Sequence, residues 1–158
     1  MTDDAASAKT PTQDERVTAA LAHATAILPM MGVLAGVVIW ATQKEKSRYV
    51  AFHALQATVY HIVMILASFL AGICYMCSIF AFPLTLPFSV STSDSTTGDV
   101  SPLFFLPMLI PFTVIGLAGL LWLGFVVYGL VGAANSLQGK DFRYLVIGKR
   151  LKRYLVAG

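Results

Sequence analysis

Three long uncharged stretches dominate the chain. They cover residues 17–43, 49–93 and 100–139. Each is longer than the ~20 apolar residues that a helix needs to cross the hydrocarbon core of a bilayer. The pattern predicts an all-α integral membrane bundle with three transmembrane helices, at about 17–41, 57–82 and 112–134.

The segments around these spans complete the predicted organisation. Residues 1–14 form a disordered polar tail, and residues 15–145 form the membrane domain, with an extracytoplasmic loop at 83–101. The second stretch exceeds one bilayer crossing, so we place residues 47–57 at the cytoplasmic interface. We expect Pro83 and Pro87 to end the span, and three prolines predict an irregular or interfacial segment over residues 102–112.

The positive charges predict the orientation in the membrane. Lys44, Lys46 and Arg48 lie between the first two stretches, and more basic residues follow the third, whereas the 83–101 linker contains no Lys or Arg. Cytoplasmic loops carry the excess of Lys and Arg. A multi-pass protein of the plasma (inner) membrane with an extracytoplasmic N-terminus and a cytoplasmic C-terminus satisfies this rule.

The C-terminal residues 146–158 predict a basic amphipathic helix. Apolar side chains recur on one side, and Lys149, Arg150, Lys152 and Arg153 lie on the other. Such a helix binds anionic lipid head groups at a membrane surface. Basic chain ends are common beside membranes, so we expect no nucleic-acid partner.

Four polar residues occur within the uncharged stretches, where each needs a hydrogen-bonding partner. They are His23, His53, Gln56 and His61. The last three can share one broad face of the second helix. The cluster either gates or binds a ligand, or it forms interhelical hydrogen bonds worth about 0.6–2 kcal/mol each.

The first span contains features that affect helix packing. Gly32 and Gly36 form a GxxxG pattern, which lets a second helix approach closely, although the pattern also arises by chance. Pro29 is expected to kink the span.

Cys74 and Cys77 form a CxxC motif in the second span. A membrane thiol–quinone oxidoreductase could use such a pair, but apolar filler is the simpler interpretation, because a low dielectric raises thiol pKa values. Haem ligation by His23 and His61 is the other cofactor hypothesis. No catalytic motif and no carboxylate lies in the spans, so we expect neither a cofactor nor an enzyme.

Three blocks resemble the small Tic20-like membrane proteins, which include a bacterial domain of unknown function and a chloroplast inner-envelope import subunit. The blocks are DERVTAALAHATAILP (14–29), KEKSRYVAFHALQATVY (44–60) and AANSLQGKDFRY (133–144). The resemblance implies a compact helical membrane architecture and a link to protein translocation.

Together these observations predict a non-enzymatic accessory, assembly or translocation-related subunit that acts through helix–helix contacts. Its partners would be the lipid bilayer and other membrane subunits or further copies of itself. The alternatives are the thiol–quinone oxidoreductase and a small homo-oligomeric pore.

Overall fold

The computed structural model describes residues 10–91, 106–140 and 142–144. All regular structure in these residues is helical, which confirms the all-α prediction. The helices are α1 (Gln13–Ala24), α2 (Pro29–Gln43), α3 (Arg48–Ser91) and α4 (Leu106–Leu137), and a 3-10 turn (Thr25–Ile27) follows α1.

A capping box sets the start of α1. The Glu15 amide donates to the Thr12 hydroxyl at 3.3 Å, and the Thr12 amide donates to the Glu15 carboxylate at 2.7 Å. Two otherwise unpaired amides are satisfied in this way, and the carboxylates of Asp14 and Glu15 also favour the positive end of the helix. The helix therefore begins at Gln13, at the end of the segment predicted to be a tail.

The predicted first span, residues 17–41, is wrong as one continuous helix. The 3-10 turn follows Ala24, and Leu28 leaves helical geometry with φ −126° and ψ 79°. Pro29 then occupies the first turn of α2, where its missing N–H has no helical partner to lose. Pro29 therefore starts a new helix instead of kinking an existing one.

Helices α1 and α2 fold back on each other as a hairpin. Ala22 belongs to a buried cluster against which Ile39 and Trp40 pack. Along α3, His23 bonds to His53 and Ala26 shares a buried cluster with Tyr60, whereas Gly32 faces His61 and Gly36 faces Thr58. Helices α1 and α2 therefore run in opposite directions along α3. The two helices are about 18 and 22 Å long, shorter than the ~30 Å hydrocarbon core, so neither crosses it alone.

Two other helical segments are long and apolar enough to span a membrane, Arg48–Ala81 in α3 and Met108–Leu137 in α4, each with a mean hydropathy of 2.3. Only 6% and 11% of their most apolar windows are buried. The core helix of a soluble protein would be mostly buried, so these surfaces require a lipid environment or an apolar partner.

The proline-based boundaries of both helices are corrected by the structure. Helix α3 continues through Pro83 and Pro87 to Ser91, and α4 begins at Leu106 and contains Pro111. The predicted helix end at Pro83 and the irregular segment over residues 106–112 are therefore wrong, whereas residues 102–105 lie outside the described residues. A proline removes one backbone hydrogen bond, and membrane helices tolerate that loss.

The chain divides into two compact units. The described parts of Met1–Ile65 and Phe125–Gly158 form the first, and those of Leu66–Gly124 form the second. The first unit contains the α1–α2 hairpin, the start of α3 and the end of α4. Its core is built largely from alanine and buried polar side chains. The second unit exposes large apolar side chains such as Leu66, Phe69 and Leu120.

Contacts within the first unit bring three chain segments to one end of it. The Arg16 guanidinium at the start of α1 lies against Gly139, just after α4; a Cβ on Gly139 would be 2.9 Å from the Arg16 Nε. Gly139 has φ +70°, which favours glycine as well. Because α2 runs back along α3, we expect the 44–48 turn, the start of α1 and the end of α4 to lie on the same side of a membrane.

We expect labelling to place residues 10 and 138 on the same side of the membrane. In a background with Cys74→Ala and Cys77→Ala, the variants Thr10→Cys and Gln138→Cys should react alike with a membrane-impermeant maleimide in sealed vesicles. Ser95→Cys, in the linker predicted to lie on the opposite side, should show the reverse reactivity. Three full spans would instead make Thr10→Cys react like Ser95→Cys, and that outcome would refute the hairpin.

Helix α2 contacts α3 through two glycines, so added methyl groups should destabilise the protein. A Cβ on Gly32 would lie 2.7 Å from the His61 ring, and one on Gly36 would collide with the Thr58 hydroxyl. Gly32→Ala and Gly36→Ala should each cost about 1–3 kcal/mol of unfolding free energy in detergent. Gly119→Ala is the control, because its Cβ meets no atom of the described residues within 4 Å. An equal loss in the control would contradict the proposed contact.

Candidate functional site

A cluster of polar side chains lies in the core of the first unit. Five of them are fully buried, with 0% exposure: His23, His53, Gln56, His61 and Ser136. Alanines on α1 and α3 separate these side chains, and their small size allows the two helices to approach closely.

Three of these side chains, together with Tyr144, form a continuous hydrogen-bonded chain. The Tyr144 hydroxyl lies 3.0 Å from His23 Nδ1, and His23 Nε2 lies 3.1 Å from His53 Nδ1. The Ser136 hydroxyl lies 3.3 Å from the same His53 nitrogen. These hydrogen bonds therefore link α1, α3, the end of α4 and the segment that follows α4.

One pattern of protons satisfies this chain. The Ser136 hydroxyl donates to the Gly132 carbonyl at 2.9 Å, so towards His53 its oxygen accepts. His53 Nδ1 then carries a proton that it shares between Ser136 and His23 Nε2, and His23 Nδ1 donates to the Tyr144 oxygen. Only one of the two facing nitrogens, His23 Nε2 and His53 Nδ1, can carry a proton while this bond persists. The two histidines therefore cannot both be in the doubly protonated, cationic form.

Gln56 attaches the chain segment after α4 to the same core. Its Nε2 donates to the Phe142 carbonyl oxygen at 3.3 Å. The Tyr49 hydroxyl, one turn before His53, donates to the Ser136 carbonyl at 3.0 Å. These bonds fasten the end of α4 and residues 142–144 to the first two turns of α3.

An aromatic layer covers this polar chain. The Tyr60 and Tyr144 rings stack at 4.2 Å with an angle of 4° between their planes, and Tyr128 and Phe142 meet Tyr144 edge-on. The Tyr60 hydroxyl donates to the Phe125 carbonyl at 2.6 Å. Burial, with the neighbouring Tyr60 and Tyr128, raises the pKa of Tyr144, so its hydroxyl keeps its proton.

His61 lies apart from the polar chain and faces α2. Its ring packs against the Gly32 backbone. Neither ring nitrogen has a hydrogen bond of standard geometry with any described residue. His53, Gln56 and His61 therefore do not share the single face that was predicted. His61 follows Gln56 by five residues and His53 by eight, and these spacings turn its side chain towards a different side of the helix.

The glycine pattern Gly32–Gly36 lies at the α2–α3 contact, where Gly36 faces Ala54 and Thr58. Sequence reasoning missed Ser136 and Tyr144 as members of the polar chain. Both residues lie in the block 133–144 that carries the family resemblance, which was the available signal for them.

The candidate cofactor residues do not come together as a ligand set. In the part of the chain that the structure describes, no three His, Cys, Asp or Glu side chains are placed to hold a metal ion. His23, which the haem hypothesis paired with His61, is hydrogen-bonded to His53 instead.

The remaining candidate residues lie away from this cluster. Cys74 and Cys77 are free thiols, exposed on α3 in the second unit. Lys149, Arg150, Lys152 and Arg153 lie outside the described residues, so the basic C-terminal helix stays a prediction.

The fold and the cluster define an all-helical membrane protein whose first unit is held together by buried polar contacts. Residues 14–151 match the MamF/MmsF family, described as the magnetosome magnetite crystal formation protein family. The chain belongs to this family, whose members are magnetosome membrane proteins involved in crystal formation. Comparisons with curated proteins and with solved structures gave no match.

The family match corrects the predicted resemblance to Tic20-like proteins, which is wrong. The residues that suggested it include His23, His53, Gln56 and Tyr144, and these form one packed cluster. Such blocks describe how helices pack, so they do not by themselves distinguish one family of small membrane proteins from another.

Removal of the Tyr144 hydroxyl should destabilise the first unit. Tyr144→Phe leaves His23 Nδ1 buried without its partner, which costs about 1–3 kcal/mol. Unfolding in detergent, followed by circular dichroism, measures the loss. Tyr75→Phe is the matched control, because the Tyr75 hydroxyl has no hydrogen bond among the described residues, and it should change stability by less than about 0.5 kcal/mol. Equal effects of the two changes would contradict a structural role for the polar chain.

Proposed function

We propose that this chain is a non-enzymatic subunit of the magnetosome membrane. It takes part in magnetite crystal formation through helix contacts with other membrane proteins or with further copies of itself. The observation that carries this proposal is the family match, which extends over residues 14–151 and so covers the four described helices except the first residue of α1.

The state of the polar side chains supports a structural role. A catalytic group must reach its substrate, whereas His23 and His53 are fully buried and bond to each other. The polar residues of the second stretch are also the natural candidates to line a pore. His53, Gln56 and His61 instead lie inside a single chain, which does not favour the pore hypothesis.

An apolar stripe on α2 offers a surface for helix contacts. Met30, Leu34 and Val38 repeat every four residues and are each at least 60% exposed. Residues with this spacing lie above one another on a helix. The opposite side of α2 faces α3 through Gly32 and Gly36, so the stripe is free to meet lipid or a neighbouring helix.

The hairpin suggests a revised topology for the protein in the membrane. We propose that α3 and α4 cross the bilayer, that the α1–α2 hairpin enters and leaves on one side, and that this side is cytoplasmic. The positive charges of the 44–48 turn support that assignment. The family supports the magnetosome membrane as the location, and the plasma (inner) membrane is the alternative.

Complementation in a magnetosome-forming host tests the role. Loss of the chain should alter the size or shape of the magnetite crystals in electron micrographs, and the unaltered gene should restore them. The Cys74→Ala/Cys77→Ala variant should restore them equally, since the proposal gives these thiols no chemistry. Unchanged crystals without the chain would refute the proposal, and failure of the cysteine variant alone, at normal protein levels, would favour the thiol oxidoreductase.

A further inference from the structure

A small pocket lies where α2 ends and α3 begins. Its volume is ≈ 260 Å³, and it is lined by Trp40, Lys44, Arg48, Ala51 and Phe52. All of these residues belong to the first unit. The pocket is too small for a whole lipid or a typical drug-sized ligand, whose sites start at about 300 Å³, but it suits a head group.

A tight turn brings the two cations of the pocket together. The Ser47 amide donates to the Gln43 carbonyl at 2.9 Å, which closes the turn after α2. The Ser47 hydroxyl then accepts from the Val50 amide at 3.3 Å and caps α3. Lys44 and Arg48 therefore project from the two ends of a short, well-defined connection.

The charges of the pocket have no counterion among the described residues. Neither Lys44 nor Arg48 forms an ion pair with one of them, and both side chains are exposed. The Lys44 Nζ lies 5.4 Å from the centre of the Trp40 ring, which holds the ammonium group above an aromatic wall. An anion placed here would meet two cations without displacing an existing salt bridge.

The rest of the lining is apolar. Ala51 is buried, while Trp40 and Phe52 are half-buried, so the pocket combines two positive groups with an aromatic and aliphatic surface. A free inorganic anion would use only the charges. A lipid would use both the charges and the apolar surface. Trp40 and the basic turn are typical of the boundary between head groups and acyl chains.

We propose that this pocket binds the phosphate group of an anionic membrane lipid. Lys44 and Arg48 hold the phosphate oxygens, and Trp40 and Phe52 contact the glycerol and the first acyl carbons. This site is distinct from the basic C-terminal segment, and it depends only on the membrane location of the chain. It would also fix the depth at which the α1–α2 hairpin enters the bilayer.

Fluorescence of Trp40 tests the site directly. The chain has two tryptophans, so Trp122→Phe leaves Trp40 as the only reporter. Phosphatidylglycerol with brominated acyl chains, added to the full chain in neutral detergent, should quench Trp40 in a saturable manner. Lys44→Ala and Arg48→Ala should each raise the half-quenching concentration about fivefold, as expected for ~1 kcal/mol per basic residue.

Lys46→Ala is the matched control, because it removes the same charge from the same turn but does not line the pocket. It should shift the half-quenching concentration by less than about twofold. Equal shifts for all three variants, each with unchanged helix content by circular dichroism, would overturn the proposal in favour of diffuse attraction. So would equal quenching by brominated phosphatidylcholine. Loss of quenching on addition of millimolar inorganic phosphate would show that free phosphate is the ligand instead.

Discussion

The hydrogen bond between His23 and His53 is the contact on which the first unit depends. An imidazole buried among apolar helices costs free energy unless its nitrogens are bonded, and each of these two rings supplies the partner that the other needs. The bond at 3.1 Å requires the backbones of α1 and α3 to approach closely. Alanine is therefore the residue that surrounds it, since Ala22, Ala54 and Ala57 are all fully buried.

This close approach explains why the first uncharged stretch folds back. If α1 ran straight into α2, only one of the two helices could lie at the level of His53. The break at Leu28, with Pro29 as the first residue of the next helix, lets both pack on the same turns of α3. The glycines of α2 then face His61 and Thr58, so a small side chain marks each helix contact in the unit.

The sequence predicted the helical class and the polar residues of the core, but it could not reveal how they are paired. An uncharged stretch of 27 residues is compatible with one span or with a hairpin, since both place the same apolar side chains against lipid. The backbone angles of one residue, Leu28, determine that the stretch folds back instead of continuing as one helix. The partners of His23 and His53 include Ser136 and Tyr144, which are more than 80 residues away along the chain, and hydrophobic periodicity carries no information on such contacts.

The distribution of charge limits how this chain could contact an inorganic surface. Contact with an inorganic surface requires charged or metal-binding groups, and the three uncharged stretches contain neither aspartate nor glutamate. The histidines inside the described helices are buried, so they are not available to an iron-bearing surface. Any direct contact with a mineral would therefore use segments outside these stretches.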